Sequence, residues 1–321
     1  MNTSTRKNAQ IGHLDAEDIK MLVESLLHLV SYKPSCDPQL TRDSIHTLEN
    51  ALRQEIVSWN ADDGLDGDLF EFTTKRSAAL SEFFYSRHTF EDKLVLALYT
   101  WEVFFFYIDD KGSKLCLEEY QRLLLLGRQP EDRAMARFQE LLAKFYDIWD
   151  PVCANLMFSG ALEFVNGNIL ERRENVCEMD VRALASPWPK YWRTKSGGAP
   201  GFSAGIFPKE NHPDITKYIQ ALPDIDDYVG LVNDILSFYK EQSSGETSTY
   251  VHVRARTTLK HPREVLAEMV AEVGELHARI SSVLEGYPAE FEAWMAFANG
   301  SIGLHLTLER YKLSEIGFPS L

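Results

Sequence analysis

Residues 223–241, PDIDDYVGLVNDILSFYKE, predict a buried helix that carries a polar site near its end. The stretch is apolar over much of its length, but Asn233, Ser237 and Glu241 stand toward its C-terminal end at intervals of four residues. Each four-residue step along an α-helix rotates the side chain by only about 40°, so these three side chains lie along one face. Polar groups on a buried helix need partners. The stretch therefore predicts a functional site on a helix, within a fold built of helices.

Helical periodicity extends outward from this stretch over most of the chain. Residues 16–32 place Ile19, Leu22 and Leu26 on one face, at spacings of three and four. Similar patterns cover 41–60, 75–109, 115–127, 131–149, 151–173, 212–242, 262–286 and 288–315. Alternating strand patterns and internal repeats are not found. We therefore predict an all-α protein of about ten helices, with a disordered tail at 1–14 and one helical domain at 15–321.

The composition restricts the partners that this protein can have. Its 321 residues carry a formal net charge of −15 at pH 7. Nucleic-acid binding needs clustered Lys and Arg, so this acidic surplus argues against a nucleic-acid partner. The N-terminal residues lack the apolar segment of a signal peptide, and the longest apolar stretch, 94–108, is shorter than the about 20 residues that span a bilayer. We expect a cytoplasmic protein without stable membrane insertion.

The polar side chains of residues 223–241 suit a hard cation that binds phosphate. The amide oxygen of Asn233, the hydroxyl of Ser237 and the carboxylate of Glu241 form an oxygen set that favours Mg²⁺ over zinc or copper. A single carboxylate leaves positive charge uncancelled, so the ion would still need anionic oxygens, which phosphates provide. Lys240, next to Glu241, is placed to add a point charge to the same phosphate.

A second acidic element ends another apolar helix. Asp109 and Asp110 follow four consecutive aromatic residues at 104–107, and Gly112 is the predicted helix stop. Taken alone, an acidic pair at a helix end is typical of a solvated terminus, and the spacing at 233–241 is typical of a polar stripe. Two oxygen-ligand clusters, each at the C-terminal end of an unusually apolar helix, instead favour a metal site beside an apolar cavity.

These motifs resemble those of the class I terpene synthases. VNDILSFYKE (232–241) is similar to the NSE motif with its preceding lysine, and DDKGS (109–113) resembles the aspartate-rich motif. The similarity is closest to the fungal trichodiene synthase-like sesquiterpene cyclases and covers residues 90–316. Three further stretches carry it: LEFVNGNILE (162–171), WPKYWRTKSGG (188–198) and ERYKLSE (309–315). The resemblance implies a single-domain helical bundle around an apolar active-site cavity.

The resemblance also implies an activity and a set of site residues. The implied reaction is Mg²⁺-dependent loss of diphosphate from farnesyl diphosphate, followed by cyclisation of the carbocation to a sesquiterpene. Three Mg²⁺ ions are implied, with these ligands: Asp109, Asn233, Ser237, Glu241 and, in a secondary role, Asp110. The implied diphosphate-binding residues are Arg193, Lys240, Arg310 and Tyr311. The implied cavity aromatics are Phe164, which is the best supported, and Phe105, Phe83 and Phe84.

The sequence departs from the family pattern at positions that affect the product. Ser113 stands where the aspartate-rich motif often has a further acid. Ser301 and Leu304 stand where trichodiene synthases have aromatic residues. Because cavity aromatics steer the carbocation, the product stays open, including the choice between a hydrocarbon and a water-quenched alcohol.

Three other functions stay open at this stage, as does the formation of a homodimer. The first is a monoterpene synthase that acts on geranyl diphosphate. The second is a chain-elongating prenyltransferase, which would be expected to carry two DDxxD motifs. The third is a helical scaffold that has kept the fold and lost catalysis. We also expect the segment 242–258 to close over a bound substrate.

Overall fold

Helices make up the regular structure of this chain. The computed structural model describes residues 13–34, 38–59, 67–103, 117–177, 179, 181–182 and 184–319. No β-strand forms within these ranges, and the all-α prediction is confirmed. The α-helices are α1 (Ala16–Leu29), α2 (Pro38–Ser58), α3 (Gly67–Phe84), α4 (Phe90–Val103), α5 (Leu117–Leu125), α6 (Arg133–Ile148), α7 (Pro151–Arg172), α8 (Glu174–Cys177), α9 (Trp188–Gly197), α10 (Ala199–Ser203), α11 (Leu222–Ser243), α12 (Tyr250–Thr258), α13 (Pro262–Leu284) and α14 (Pro288–Thr307). None of the described helices has the length and hydropathy of a membrane span.

The long helix predicted at 75–109 is wrong, because a break at 85–89 separates α3 from α4. The hydroxyl of Thr89 accepts a hydrogen bond from the backbone N–H of Asp92 at 3.1 Å and caps α4. Such a cap satisfies a backbone donor that has no partner within the helix. The break contains neither glycine nor proline, so the usual helix-breaking residues did not reveal it.

The structure also contains helices that periodicity did not predict. Helices α9, α10 and α12 lie outside the predicted segments, and the first part of the predicted 212–242 helix forms 3₁₀ turns at Ile215–Lys217 and Ile219–Ala221. Close contact with α7 sets the position of α9. A Cβ atom at Gly167 of α7 would lie 2.8 Å from the carbonyl oxygen of Lys195 on α9, so only glycine allows this approach.

Structure is described on the N-terminal side of the predicted boundary at residue 14. Leu14 is 2% exposed. Its backbone N–H donates to Oε1 of Gln242 at 2.8 Å, and its carbonyl accepts from Nε2 of the same side chain at 2.9 Å. The prediction of a disordered tail is therefore wrong at Leu14, and residues 1–12 lie outside the described residues.

Helix α11, which contains the polar stretch, lies in the interior of the fold. It packs against α10, α13 and α14, with further contacts to α1 and α12. Tyr228, Leu236 and Phe238 on this helix are fully buried. Buried apolar side chains of the described residues form one connected core. The polar side chains of α11 therefore project from a helix that is surrounded by other helices, as its sequence predicts.

Candidate active site

A cavity of about 250 Å³ lies beside the C-terminal half of α11. Helices α3, α7, α9, α10 and α14 and the 3₁₀ turn Glu309–Tyr311 supply its other walls. Nine of the residues predicted for the site line this cavity: Phe84, Phe164, Arg193, Asn233, Ser237, Lys240, Glu241, Arg310 and Tyr311. The fold thus places these nine side chains, which come from five separate segments, around one space.

The lining of the cavity changes from apolar to polar along α11. Val229 and Val232 form the apolar part of this wall. Ser237, Lys240 and Glu241 form its polar part, nearer the C-terminal end of the helix. From Val229 to Glu241 the helix rises about 18 Å, since each residue adds about 1.5 Å. One wall of the cavity therefore offers both apolar contacts and ligands for charged groups.

Three of the predicted residues lie outside the described part of the chain, and one lies away from the cavity. Asp109, Asp110 and Phe105 fall among the residues that the structure does not describe. The predicted cavity residue Phe83 is not among the described residues that line this cavity. Its backbone carbonyl would lie 1.8 Å from a Cβ atom at Gly300 of α14, so α3 and α14 touch directly at this residue. The Phe83 ring packs against Gly303 on the same helix, while Phe84 faces the cavity.

Glu241 is a nearly buried carboxylate whose ion pair with a neighbouring lysine is long. Its side chain is 14% exposed, and Nζ of Lys240 stands 3.9 Å from its Oε1. Within the described residues, no hydrogen bond reaches this carboxylate. Burial, with a smaller effect of the Asp234 charge, raises the pKa of Glu241 to about 7. An additional positive charge at this position would therefore stabilise the ionised form.

The amide of Asn233 is held between two partners. Its Nδ2 lies 3.0 Å from Nε2 of His305, and its Oδ1 accepts from a guanidinium N–H of Arg193 at 3.2 Å. His305 is 2% exposed. Burial, together with the charges of Arg310 and Lys240, lowers the pKa of His305 to about 4, so its ring is uncharged at neutral pH.

Arg193 forms an ion pair with the residue that follows Asn233. Its Nε lies 2.9 Å from each carboxylate oxygen of Asp234, and Nη2 also donates to the carbonyl of Gly230 at 3.3 Å. A Cβ atom at Gly197 would lie 2.2 Å from Nη1, so the guanidinium packs directly against that glycine. Burial raises the pKa of Asp234, and the Arg193 charge limits the rise. The pair fixes the guanidinium at the edge of the cavity.

Sequence reasoning missed His305 and assigned no role to Asp234. His305 stands in the apolar run SIGLHLTL (301–308), and a polar side chain in such a run needs a partner. The sequence therefore indicated that His305 has a partner. It could not indicate that the partner is Asn233, which is 72 residues away. Ser301 and Leu304, the two departures from the family pattern, both line the cavity.

Comparison with known proteins identifies the family. Residues 74–318 match the family described as Trichodiene synthase (TRI5). The chain belongs to this family. Terpene synthase BipA of Cochliobolus sativus is 34% identical over 232 residues, which cover 72% of this chain and 71% of that protein. Monoterpene synthase 25 of Postia placenta is 31% identical over 285 residues, which cover 87% of this chain and 82% of that protein.

Solved structures carry the same fold at low identity. The linalool/nerolidol synthase of Streptomyces clavuligerus superposes with a TM-score of 0.60 at 13% identity, covering 86% of this chain and 97% of that chain. A hedycaryol synthase in complex with nerolidol gives a TM-score of 0.58 at 14% identity, covering 86% and 96%. The trichodiene synthase-like member described here therefore has the class I terpene synthase fold, and its family supports a terpene cyclase activity on an isoprenyl diphosphate.

Class I terpene synthases use divalent metal ions, typically Mg²⁺, and the α11 side chains fit such an ion. The donor set consists of oxygen atoms, which Mg²⁺ prefers. Glu241 supplies a desolvated carboxylate that accepts no hydrogen bond, and Ser237 Oγ has no hydrogen-bond partner, in the described part of the chain. Asn233 turns its oxygen away from His305. A divalent cation held here would have oxygen ligands from all three side chains.

The raised pKa of Glu241 predicts how the stability of the metal-free protein depends on pH. The folded-state pKa of about 7 exceeds the ordinary 4.5, so the folded protein binds an extra proton between these values. The stability that this proton contributes is complete below about pH 4.5 and is lost as pH rises through 7. One pKa unit corresponds to about 1.4 kcal/mol, so the loss amounts to a few kcal/mol at most.

Thermal unfolding in EDTA at pH 5 to 8 checks this prediction. Relative to Glu241→Gln, the wild type should lose several degrees of Tm across this range, whereas Glu285→Gln, an exposed change of the same charge, should follow the wild type. Parallel curves for wild type and Glu241→Gln would contradict the raised pKa of this buried carboxylate.

Proposed function

We propose that this protein is a sesquiterpene cyclase that removes diphosphate from farnesyl diphosphate, with Mg²⁺, and cyclises the remaining carbocation. One observation carries the proposal: oxygen ligands, cationic side chains and aromatic rings line a single cavity. The first two groups suit a metal-bound diphosphate, and the third suits a hydrocarbon cation. Each kind of side chain is common in proteins for other reasons. Together, the polar and cationic groups fit the diphosphate end of an allylic diphosphate, and the aromatic rings fit its hydrocarbon end.

The polar residues bind and neutralise the diphosphate. We propose that three Mg²⁺ ions are held by Asn233, Ser237 and Glu241 and by Asp109, with Asp110 secondary. When bound, these ions stabilise the negative charge that develops on the departing group. The basic and phenolic side chains of the cavity add hydrogen bonds to the diphosphate oxygens: Arg193, Lys240, Arg310 and Tyr311.

The reaction then proceeds without further protein nucleophiles. The bond between the allylic carbon and the diphosphate oxygen breaks, and both electrons leave with the diphosphate. A double bond of the remaining cation supplies the electron pair for the new ring bond, and the final cation loses a proton or captures water. Because water would quench the cation early, the cavity must exclude it. We propose that the segment 242–258 closes on binding, as several of its residues border the neighbouring space next to Arg193 and Glu241.

Aromatic faces stabilise the cation inside the cavity. Phe84 and Phe164 are each 5% exposed and line the cavity. A cation over such a ring gains roughly 0.5–2 kcal/mol. Phe105 stays a prediction for the same role.

Phe84 predicts a specific change in product. Its side chain lines both the active-site cavity and a neighbouring cavity of about 380 Å³, so it forms part of the wall between them. In Phe84→Leu, the enlarged cavity should admit geranylgeranyl diphosphate more readily and change the ratio of products from farnesyl diphosphate. Gas chromatography–mass spectrometry of the products measures both effects. Phe83→Leu is the matched control, since it removes a neighbouring buried ring that does not line the cavity, and it should leave the product ratio unchanged.

The C15 substrate is supported by the names of two relatives. Longiborneol synthase of Gibberella zeae is 27% identical over 235 residues, and α-cuprenene synthase of Coprinopsis cinerea is 29% identical over 232 residues. Both names denote sesquiterpene products. A monoterpene synthase is the second candidate, because the relative of that name in Postia placenta matches 87% of this chain.

Incubation of the purified protein with C10, C15 and C20 isoprenyl diphosphates and MgCl₂ tests the proposal. We expect the highest kcat/KM with farnesyl diphosphate and a cyclic C15 product. A preference for geranyl diphosphate would overturn the C15 assignment, and turnover only with added isopentenyl diphosphate would indicate a prenyltransferase. Acyclic products alone would overturn cyclisation, and no diphosphate release from any substrate would indicate a scaffold.

A further inference from the structure

His305 lies in the wall of the active-site cavity, and the roles above leave it without a function. It is on α14, and its ring packs against the ring of Tyr311 with 4.3 Å between centroids. It is 2% exposed and touches the predicted metal ligand Asn233. A buried histidine is most often a satisfied core residue, so its hydrogen bonds decide what it does.

The contacts of His305 fix its tautomer. Nδ1 lies 2.6 Å from the backbone carbonyl oxygen of Ser301, and a carbonyl can only accept. Nδ1 therefore carries the hydrogen. Because Arg193 can only donate to Oδ1 of Asn233, the NH₂ of that amide faces Nε2, which must accept through a lone pair. The group that faces this lone pair at 3.0 Å must be a donor, which is the NH₂ of Asn233.

A second contact fixes the same orientation from the other side. Nη2 of Arg193 lies 3.2 Å from Oδ1 of Asn233, and a guanidinium can only donate. If the amide were turned over, its oxygen would face the lone pair of His305 and its NH₂ would face the N–H groups of Arg193. Both contacts would then be repulsive, so two independent partners select one orientation of the amide.

We propose that His305 is a positioning residue that keeps the Oδ1 atom of Asn233, rather than its NH₂, available to the divalent ion. This inference rests on the proposed metal site of α11. Only the oxygen of an amide can bind Mg²⁺, so an amide that turns over presents a group that repels the ion. Groups that orient metal ligands in this way typically change metal affinity by about 10–100-fold. Repulsion between a bound ion and the guanidinium would weaken the contact of Arg193 with the amide oxygen, so His305 is the partner that keeps the amide in place.

Binding of inorganic diphosphate as a function of MgCl₂ concentration, measured by isothermal titration calorimetry, tests the role of His305 without turnover. His305→Leu and His305→Phe both remove the acceptor, and Phe retains a ring against Tyr311, so either variant that folds is sufficient. The Mg²⁺ concentration for half-maximal binding should rise about 10–100-fold. His305→Gln, whose Oε1 can accept from Asn233, should restore binding to within a few-fold of the wild type. His277→Leu, which removes a histidine packed against Trp294 elsewhere in the protein, should bind as the wild type does.

The Asn233→Asp background separates orientation from general packing. Aspartate presents oxygen in either orientation, so His305→Leu should raise the Mg²⁺ requirement in the Asn233 protein and leave it unchanged or lower in the Asn233→Asp protein. An equal rise in both backgrounds would overturn the positioning role and leave His305 as a packing residue. Wild-type affinity in His305→Leu would overturn it as well. If the wild type itself binds no diphosphate with Mg²⁺, the proposed metal site fails together with this inference, whereas the two preceding outcomes leave the site intact.

Discussion

Replacing Glu241 with glutamine should lower kcat/KM for farnesyl diphosphate by about 10²–10³-fold, the loss expected when one group that stabilises a leaving charge is removed. The carboxylate is the sole anionic member of the α11 oxygen set, and an amide in its place cannot neutralise the ion. Because Glu241 has no hydrogen-bond partner among the described residues, the substitution should leave the fold intact. Release of inorganic diphosphate, measured over a range of MgCl₂ concentrations, gives the result.

The matched control for this prediction is Glu285→Gln, which removes the same charge at an exposed position at the end of α13. It should turn over at the wild-type rate. Turnover of Glu241→Gln within a few-fold of wild type, with the protein folded, would contradict the metal-binding role of Glu241.

Replacing Arg193 with methionine should lower kcat/KM by about a hundredfold or more and should also lower Tm. Two effects are expected because Arg193 has two partners. It is proposed to bind the diphosphate, and it neutralises Asp234, whose side chain is only 12% exposed. Removing one partner of a buried ion pair leaves an uncompensated charge, at a cost of up to about 3–5 kcal/mol.

A double variant separates these two effects. In Arg193→Met/Asp234→Asn the buried charge is gone, so Tm should recover toward the wild-type value while turnover stays low. Arg263→Met, which breaks an exposed ion pair with Asp18, is the control for loss of an arginine and should retain activity. Recovery of turnover in the double variant would mean that Arg193 acts only on stability.

The all-α fold and the shared face of three polar side chains on α11 were predictable because both depend on local patterns. Helical spacing places Asn233, Ser237 and Glu241 on one face of any helix, whatever its surroundings. The segments that carry Arg193 and Arg310 came from the resemblance to the family rather than from periodicity. That these arginines line the same cavity depends on the tertiary packing of several segments, which the sequence of one segment does not determine.

The parts that sequence could not predict depend on contacts between distant residues. Phe83 and Phe84 are neighbours on α3 and differ in direction by about 100°, so the sequence does not decide which faces the cavity. The close approach of α14 at Gly300 decides it. Helix α9 was not predicted for a similar reason. Its position depends on contact with Gly167 of α7, and its own sequence lacks a clear amphipathic pattern. The contact of His305 with Asn233 likewise joins two helices far apart in the chain.

A crystal structure of the protein grown with Mn²⁺ and inorganic diphosphate would test the central claim most directly, since the anomalous signal of Mn²⁺ marks its position. We predict an ion bound by Oδ1 of Asn233, Oγ of Ser237 and a carboxylate oxygen of Glu241, at about 2.1 Å, the distance typical of Mg²⁺ and oxygen. The same ion should bind a diphosphate oxygen. Diphosphate bound in the cavity with no anomalous peak at these three side chains would contradict the account.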